Sequence, residues 1–400
     1  MNEPASNRAW LTRSVVAIGF ASLLSDACYE GIIPLLPALV GGLGGGAAAL
    51  GLIEGLADGL AGVFKLWGGA LADHTKRRRE LAAGGYLGLG VFMPAIALAA
   101  SIPMVLAFRS LAWICRGFRS PIRDTLLVDD TDPRFVNRAF GFQRALDTIG
   151  AVIGPAAAML MIHAHVPVRT AIAFGLIPGL LAAAMYLFVR ERPRTAPPRQ
   201  ALHIALAGLP KPFKRYLLGA GIFGIGNFSQ TLLVLVAIHA LTPRVGAVRA
   251  IVYATAFYLM HNIVQAALSY PAGVFSEKIG SGRLLIASFC GFAIVSVLVA
   301  AGSASVIAVG IAFAVSAMST AVLEPMEGTF ATQLLPAERR GTGFGALAAV
   351  NSVGDFASSA GVGLLWQAFG APLAFAVAAA VCIAGAAIVL PIAAPRNVAV

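Results

Sequence analysis

Gly69-Ala70-Leu71-Ala72-Asp73-His74-Thr75-Lys76-Arg77-Arg78-Arg79 is the stretch that decides the fold. It lies between two long apolar runs, at about 48–72 and 81–100. Unpaired charges and open backbone are too costly in hydrocarbon for this stretch to lie inside a bilayer, so it must be a tight loop at the membrane surface. Four consecutive cations beside a spanning segment place that surface on the cytoplasmic side.

The loop has a counterpart about half a chain later. The stretch Gly273–Gly280 repeats its glycine and its acid, with Glu277 in the place of Asp73. A second pair of similar segments, 138–142 and 340–344, is separated by nearly the same distance. Two independent pairs of similar segments, separated by nearly the same number of residues, indicate an internal duplication. Both loops lie on the same side of the membrane, so the two halves repeat in parallel orientation.

Composition agrees with a membrane protein and excludes other classes. The chain is 58% hydrophobic and 12% charged, and this share of charge is about half that of a soluble domain. The net charge of +11 reflects membrane topology and anionic lipid headgroups, so we expect a lipid bilayer as partner and no nucleic acid. All four cysteines lie in apolar runs without metal-ligand spacing, so we expect no metal and no cofactor.

Apolar runs predict an all-α membrane protein with twelve transmembrane helices in two pseudo-symmetric six-helix bundles. Each run reaches the roughly 20 residues that a spanning helix needs. A break rich in Arg and Pro divides the chain into an N-terminal bundle at 1–189, a cytoplasmic linker at 190–213 with a short surface helix at 200–208, and a C-terminal bundle at 214–400. The twelve runs lie near 14–40, 48–72, 81–100, 103–128, 139–162, 168–189, 214–240, 249–275, 283–302, 305–331, 342–369 and 371–394.

The distribution of Lys and Arg between the loops predicts how these spans are oriented in the membrane. With both termini in the cytoplasm, twenty of the 29 Lys and Arg residues fall on cytoplasmic segments. Only Arg169, Arg244 and Arg249 fall on outer segments. The positive-inside rule therefore favours cytoplasmic termini, and we expect a multi-pass protein of the bacterial inner membrane.

With these motifs in place, the chain resembles the major facilitator superfamily (MFS) of secondary transporters along its whole length. The Gly69–Arg79 stretch is similar to the family's loop between helices 2 and 3, and Asp129 matches the acidic partner at the inner end of helix 4. Arg109 stands where the family carries its helix 4 arginine. Gly150 and Gly154-Pro155 resemble the helix 5 motif of drug/proton antiporters, although Ala157 and Ala158 replace the glycines that follow the proline there.

The loop motif predicts a conformational latch. A carboxylate and several cations at the ends of helices 2, 3 and 4 form a charge-assisted network that holds one state and breaks in the other. The alternative is a solvated anchor that only sets topology. We expect the latch to comprise Gly69, Asp73, Arg77, Arg78, Asp129 and, in the second half, Glu277.

Charges within the spans are functional candidates, because such residues usually face a bundle interior or a wet cavity. The resemblance implies that helices 1, 4, 7 and 10 line a central cavity. We expect the proton-coupling residues to be Asp26 and Glu30, followed by Asp58 and Glu324. The expected substrate-binding residues are Arg109, Arg116, Arg119, Asn227 and His261. The alternative is a static lattice of salt bridges between helices.

These observations predict a transporter and not an enzyme. No phosphate-binding GxxxxGK[ST] motif and no nucleophile–base spacing is present in the sequence. We expect a monomer that moves a small organic solute by alternating access, driven by protons. The helix 1 acids and the partial helix 5 motif favour export. The arginines of helix 4 favour the alternative, which is a proton-coupled importer of an anionic solute or metal chelate. A membrane receptor or scaffold that transports nothing would not need so many charges within its spans.

Overall fold

A computed structural model describes residues 11–132, 135–191, 208–302, 305–336 and 340–393. Within its helices, the side chains of residues 70, 72–74, 137, 277 and 340–342 are outside this description. The described part of the chain is helical and contains no strand.

The chain forms fifteen described α-helices, several of which follow one another directly within a single span. They are α1 Arg13–Ile32, α2 Leu36–Gly42, α3 Ala47–His74, α4 Arg78–Ala95, α5 Ile102–Asp129, α6 Val136–His163, α7 Val168–Phe174, α8 Leu176–Met185, α9 Lys211–Gly226, α10 Gln230–Val245, α11 Ala247–Ile279, α12 Ser281–Ala300, α13 Val306–Leu334, α14 Arg340–Phe369 and α15 Ala371–Val389. Short 3-10 turns join α1 to α2 and extend α4, α8 and α15.

These helices confirm the predicted all-α membrane fold. Ten described segments are long and apolar enough to cross a bilayer. Two further helices of spanning length, α5 and α14, are too polar to meet that criterion. Helix α5 carries four arginines within its length, and α14 carries Asn351, Asp355 and several serines. Together the ten segments and these two helices correspond to the twelve predicted spans, with ends that agree to within a few residues.

Contacts between Cα atoms divide the chain into two compact units. Unit 1 comprises residues 1–39 and 60–198, and unit 2 comprises residues 40–59 and 199–400. The contacts thus place 40–59 with unit 2, which the predicted boundaries do not anticipate. Those boundaries stay a prediction, and most of the predicted linker, with its surface helix, lies outside the described residues.

Unit 1 packs α1 against α6 and α8, and α4 against α5 and α8. Its core includes Val15, Ile18, Tyr86, Ile122 and Tyr186, all of which are buried. These residues come from α1, α4, α5 and the 3-10 turn after α8, so the core joins four segments of the unit.

Unit 2 packs α9 against α14 and α15, α12 against α13 and α15, and α11 against α10 and α13. Aromatic rings from several helices contact one another in its core. The rings of Phe223 and Phe289 are stacked with their centroids 3.7 Å apart, and Tyr216 meets Phe330 edge-on at 5.2 Å. Such contacts hold helices together in lipid, where the hydrophobic effect between helices is absent.

Glycines allow the backbones of α4 and α8 to touch. A Cβ atom added at Gly90 would lie 2.6 Å from the carbonyl carbon and oxygen of Gly179. Gly84, on the same helix, has open space around it. We therefore predict that Gly90→Ala lowers the free energy of unfolding by about 1–3 kcal/mol through overpacking.

Gly84→Ala is the matched control. Its methyl group meets nothing, and alanine is the better helix former by about 0.5–1 kcal/mol, so this variant should be as stable as the native protein or more so. Thermal unfolding of the purified proteins in detergent measures both. Equal melting temperatures for the two variants would show that the α4–α8 backbone contact is absent.

Candidate functional site

A network of charged side chains joins three segments at one end of unit 1, where α4 begins and α5 ends. Its centre is Arg78, whose side chain is 3% exposed. Nη1 of Arg78 donates to Oδ2 of Asp129 at 2.6 Å, and Nε donates to Oε1 of Glu191 at 3.2 Å. Hydrogen bonds between two charged groups are the strong ones, so Arg78 ties the start of α4 to the end of α5.

Glu191 also caps helix α4. Its carboxylate accepts hydrogen bonds from the backbone N–H of Arg78 at 2.9 Å and of Arg79 at 3.2 Å. The first N–H groups of a helix have no partner within the helix, and a negative charge beside them is favourable. Glu191 therefore fixes the chain that follows the last helix of unit 1 to the start of α4.

Arginines of α5 occupy the interior of unit 1 and rest on aromatic rings. The guanidinium carbon of Arg109 lies 3.3 Å from the ring centroid of Trp113, and the residue is 1% exposed. Arg116 lies over the rings of Tyr29 and Trp113, at 4.9 and 5.3 Å, and donates to the Tyr29 hydroxyl at 3.3 Å. Cation–π contacts of this kind offset part of the cost of removing a guanidinium from water.

Arg119 is the next arginine on α5 and is 2% exposed. Its guanidinium carbon lies 3.6 Å from the ring centroid of Tyr86, and Nη2 donates to Oγ of Ser25 at 2.8 Å. Nε and Nη1 have no hydrogen-bond partner among the described residues. Arg119 therefore has N–H groups in the interior of the unit that are able to donate further hydrogen bonds.

Acidic side chains face these arginines from α1 and α6. Asp26 is 7% exposed and interacts electrostatically with Asp147 and Glu30, and also with Arg116 and Arg119. A short polar chain links the same helices, because Nε2 of Gln143 donates to Ser22 Oγ at 2.9 Å and to Asp147 Oδ1 at 3.3 Å. Three acids and two arginines thus share one interior, whose net charge depends on how many carboxyls are protonated.

A second polar region lies in unit 2, where a cavity of about 340 Å³ opens between α3, α9, α10, α12, α13 and α14. Four carboxyl side chains reach its wall, from Asp58, Glu324, Glu327 and Asp355. Oε2 of Glu327 accepts a hydrogen bond from Nδ2 of Asn351 at 2.8 Å. The polar residues of the wall are Asp58, Asn227, Ser229, Gln230, Thr320, Glu324, Glu327, Asn351, Asp355 and Ser359.

A break in one span forms part of this wall. Helix α9 ends at Gly226 and α10 begins at Gln230, so Asn227, Phe228 and Ser229 leave the helical ladder. Serines of α14 meet two of the freed backbone groups. Ser358 donates to the carbonyl of Asn227 at 2.9 Å, and the N–H of Ser229 donates to Oγ of Ser359 at 3.3 Å. Irregular backbone at membrane depth is tolerated where it is buried in protein or lines a cavity, and this break meets both conditions.

Comparison with known proteins decides the family. The sequence profile of the Major Facilitator Superfamily matches residues 18–260 and 217–399, which together are nearly the whole chain. The chain belongs to the major facilitator superfamily.

Relatives and solved structures agree with this assignment to the MFS. An uncharacterized MFS-type transporter of Methanocaldococcus jannaschii, MJ1317, is 29% identical over 358 residues, which are 89% of each chain. The multidrug resistance protein MdtG of Escherichia coli is 25% identical over 300 residues, 68% of each chain. The structure of the nucleoside transporter NupG superposes with a TM-score of 0.80 at 11% identity, over 96% of this chain and all of NupG. This protein is therefore a multi-pass membrane transporter of the MFS type and not an enzyme.

The predicted site residues of this MFS protein fall into both units. Unit 1 brings together Asp26, Glu30, Arg116 and Arg119. Arg109 lies on α5, the helix that also carries Arg116 and Arg119. Asp58, Asn227 and Glu324 line the cavity of unit 2. His261 is 2% exposed on α11 and does not line that cavity, and its Nδ1 lies 3.5 Å from Oδ1 of Asn262. The roles assigned to these residues stay predictions.

The structure brings two of the predicted latch residues together, and their role as a latch stays a prediction. Arg78 and Asp129 form an ion pair, and Gly69 lies near Pro121 of α5. Arg77 is outside the network, because its side chain is 83% exposed and its Nε lies 3.9 Å from the carboxylate of Glu80. The side chains of Asp73 and Glu277 lie outside the described residues.

Several residues of these sites escaped sequence reasoning. Glu191 stands at the edge of the Arg- and Pro-rich break, and only its position after the last span of the first half could have suggested a cap. Gln143 and Gln230 are uncharged, so the presence of charge within a span does not identify them. Glu327 and Asp355 do carry charge within spans, but sequence alone could not rank them above Glu324.

The Arg78 network yields a direct test. Arg78→Ala leaves Asp129 and Glu191 without their shared partner, so we expect the free energy of unfolding to fall by about 1–3 kcal/mol. Arg77→Ala, one residue away, is the control and should change it by less than about 0.5 kcal/mol, since its side chain is solvated. Thermal unfolding measures both, and an Arg77 effect equal to that of Arg78 would refute the central place of Arg78.

Proposed function

We propose that this transporter exports a small organic solute across the bacterial inner membrane by alternating access of its two halves, in exchange for protons. The observation that carries the proposal is the buried carboxyl of Asp26 among Glu30, Asp147, Arg116 and Arg119. A carboxyl in such a place binds or releases a proton when a nearby charge moves, since burial favours its neutral form and a guanidinium favours its charged form.

Export is the direction that the comparisons support. MdtG is named a multidrug resistance protein, and its similarity covers two thirds of both chains. The Gly150, Gly154 and Pro155 pattern on α6 agrees with that direction. In this scheme the protons enter from the outside and the arginines of α5 stay paired within the protein.

The second candidate function is import of an anionic solute, and one observation favours it. Arg119 keeps two buried nitrogen atoms without a hydrogen-bond partner among the described residues, and a carboxylate or phosphate would satisfy them. Against it stand the ring contacts and nearby acids of Arg116 and Arg119, which already compensate much of their charge. We therefore rank export first.

Neutralising Asp26 tests proton coupling. In proteoliposomes that contain the full-length protein, Asp26→Asn should abolish solute accumulation driven by an imposed pH gradient, because the side chain can no longer exchange a proton. Exchange of labelled for unlabelled solute needs no net proton movement and should persist. Glu80→Gln, which removes an exposed carboxylate, is the control. If Asp26→Asn still accumulates solute against its gradient, Asp26 is not the carrier, and Glu30 is the next residue to neutralise.

Replacing Arg116 separates the two candidate functions. If Arg116 is paired within the protein, Arg116→Ala removes its contacts with Tyr29 and Trp113 and should lower stability by about 2 kcal/mol or more, with or without solute. If it serves an anionic solute, the variant should keep its melting temperature and lose affinity for anions. Arg144→Ala removes an arginine whose side chain is 74% exposed and serves as the control. Unchanged stability together with lost anion binding would contradict export as the first choice.

A further inference from the structure

A groove on the outer surface of unit 2 lies between helices α12 and α15, both of which are membrane spans by length and hydropathy. Its volume of about 560 Å³ falls within the roughly 300–1,000 Å³ that is typical of sites for small molecules. Its lining is almost entirely apolar. Ile294, Val297 and Ile383 line it and are between 49% and 56% exposed. The groove is therefore open to the hydrocarbon of the bilayer and suits an apolar chain.

The face of α12 that lines this groove leads to an arginine. Positions 283, 287, 290, 294 and 297 recur every three to four residues, so they share one face of the helix. Arg283 is the first of them, and its side chain is exposed. Cys290 is the lining residue of α12 nearest to it in sequence. Two helical turns, or about 10 Å along the helix axis, separate the two residues.

A second arginine lies at the same end of unit 2. The start of α12 meets the turn after α15, because a Cβ atom added at Gly282 would lie 2.8 Å from Cα of Ala393. Arg215 of α9 reaches the last turn of α15, where its Nε donates to the carbonyl of Ile388 at 2.8 Å. The side chain of Arg215 is exposed as well. Two guanidinium groups thus stand at one end of an apolar groove.

A phospholipid combines the two kinds of contact that this surface offers. One leaflet of the hydrocarbon core is about 15 Å thick, so an acyl chain that starts at the level of Arg283 is long enough to pass Ala287 and enter the groove. Guanidinium groups bind phosphate oxygens through strong, paired hydrogen bonds. Basic residues beside a pocket between spans are typical of sites for anionic headgroups. A free phosphate would leave the groove empty, and a lipid without net charge would gain less from the arginines.

We propose that the groove between α12 and α15 binds an acyl chain of an anionic phospholipid whose phosphate is held at Arg283 and Arg215. This site concerns the contact of the protein with its bilayer. It depends neither on proton exchange at Asp26 nor on the identity of the transported solute.

Photolabelling tests the proposal on the native protein. Phosphatidylglycerol with a photoreactive diazirine in one acyl chain is added to the purified full-length protein in a neutral detergent, and the labelled residues are identified by mass spectrometry. We expect the labels to concentrate on groove residues of α12 and α15, such as Ile294 and Ile383. Labels spread evenly over the exposed residues of all spans would overturn the proposal.

Competition identifies the headgroup. Unlabelled phosphatidylglycerol should compete at least about fivefold better than phosphatidylethanolamine with the same acyl chains, because one arginine near an anionic headgroup changes affinity by about this factor. Glycerol phosphate carries the charge without acyl chains and should not compete. Equal competition by the two lipids would overturn the requirement for an anion, and competition by glycerol phosphate would overturn the requirement for a lipid.

Arginine variants locate the phosphate. Arg283→Gln and Arg215→Gln should each lower labelling of the groove by about fivefold, and Arg283→Lys, which keeps the charge, should retain most of it. Arg249→Gln removes an exposed arginine near the start of α11, at the far end of that helix from α12, and is the matched control. Undiminished labelling of the groove in the double variant of Arg215 and Arg283 would overturn the proposed place of the headgroup.

A larger side chain in the groove locates the acyl chain. Ala380 of α15 is exposed and lines the groove, so Ala380→Phe should fill part of it and lower labelling at Ile294. Ala384, one turn further along the same helix, is exposed but does not line the groove, and Ala384→Phe is the control. Equal labelling in the two variants would overturn the proposed place of the chain. Because the lipids are first compared on the native protein, their ranking is decided even if a variant folds poorly.

Discussion

The cost of leaving charge or open backbone in hydrocarbon is the constraint on which the rest of this structure depends. With 58% hydrophobic residues, most of the chain is free to face lipid, and the exposed surfaces of the helices carry leucine, isoleucine, valine and phenylalanine. The polar minority must be enclosed. Both units enclose polar side chains among their helices.

In unit 1 the enclosed groups compensate one another. Arg109, Arg116 and Arg119 stack on aromatic rings, and Asp26 lies among further acids and two of these arginines. In unit 2 four carboxyl side chains lie on the wall of a cavity beside a broken helix.

Sequence patterns predicted the helices well because span length and apolar content follow directly from bilayer thickness. The sequence also allowed the Arg78–Asp129 pair to be predicted, because both residues flank short loops on the same predicted side of the membrane. The contact of Glu191 with the start of α4 could not be predicted, because it depends on the path that the chain takes after α8. The break at Asn227–Ser229 was not predicted, because the apolar run continues on both sides of it and no proline interrupts it. Nor could spacing reveal that Asp58 of α3 shares a wall with Asp355 of α14, because that contact joins residues far apart in the chain.

The central claim is that the cavity of unit 2 is a hydrated polar site within a helix bundle that is otherwise surrounded by lipid. Thiol labelling in membranes tests it most directly, after Cys28, Cys115, Cys290 and Cys382 have been replaced. Thr320 of α13 lines the cavity, and Met318, two residues earlier, is exposed on the apolar surface. A charged, water-soluble maleimide should react with Thr320→Cys and spare Met318→Cys. Reaction at Met318→Cys with none at Thr320→Cys would contradict the account.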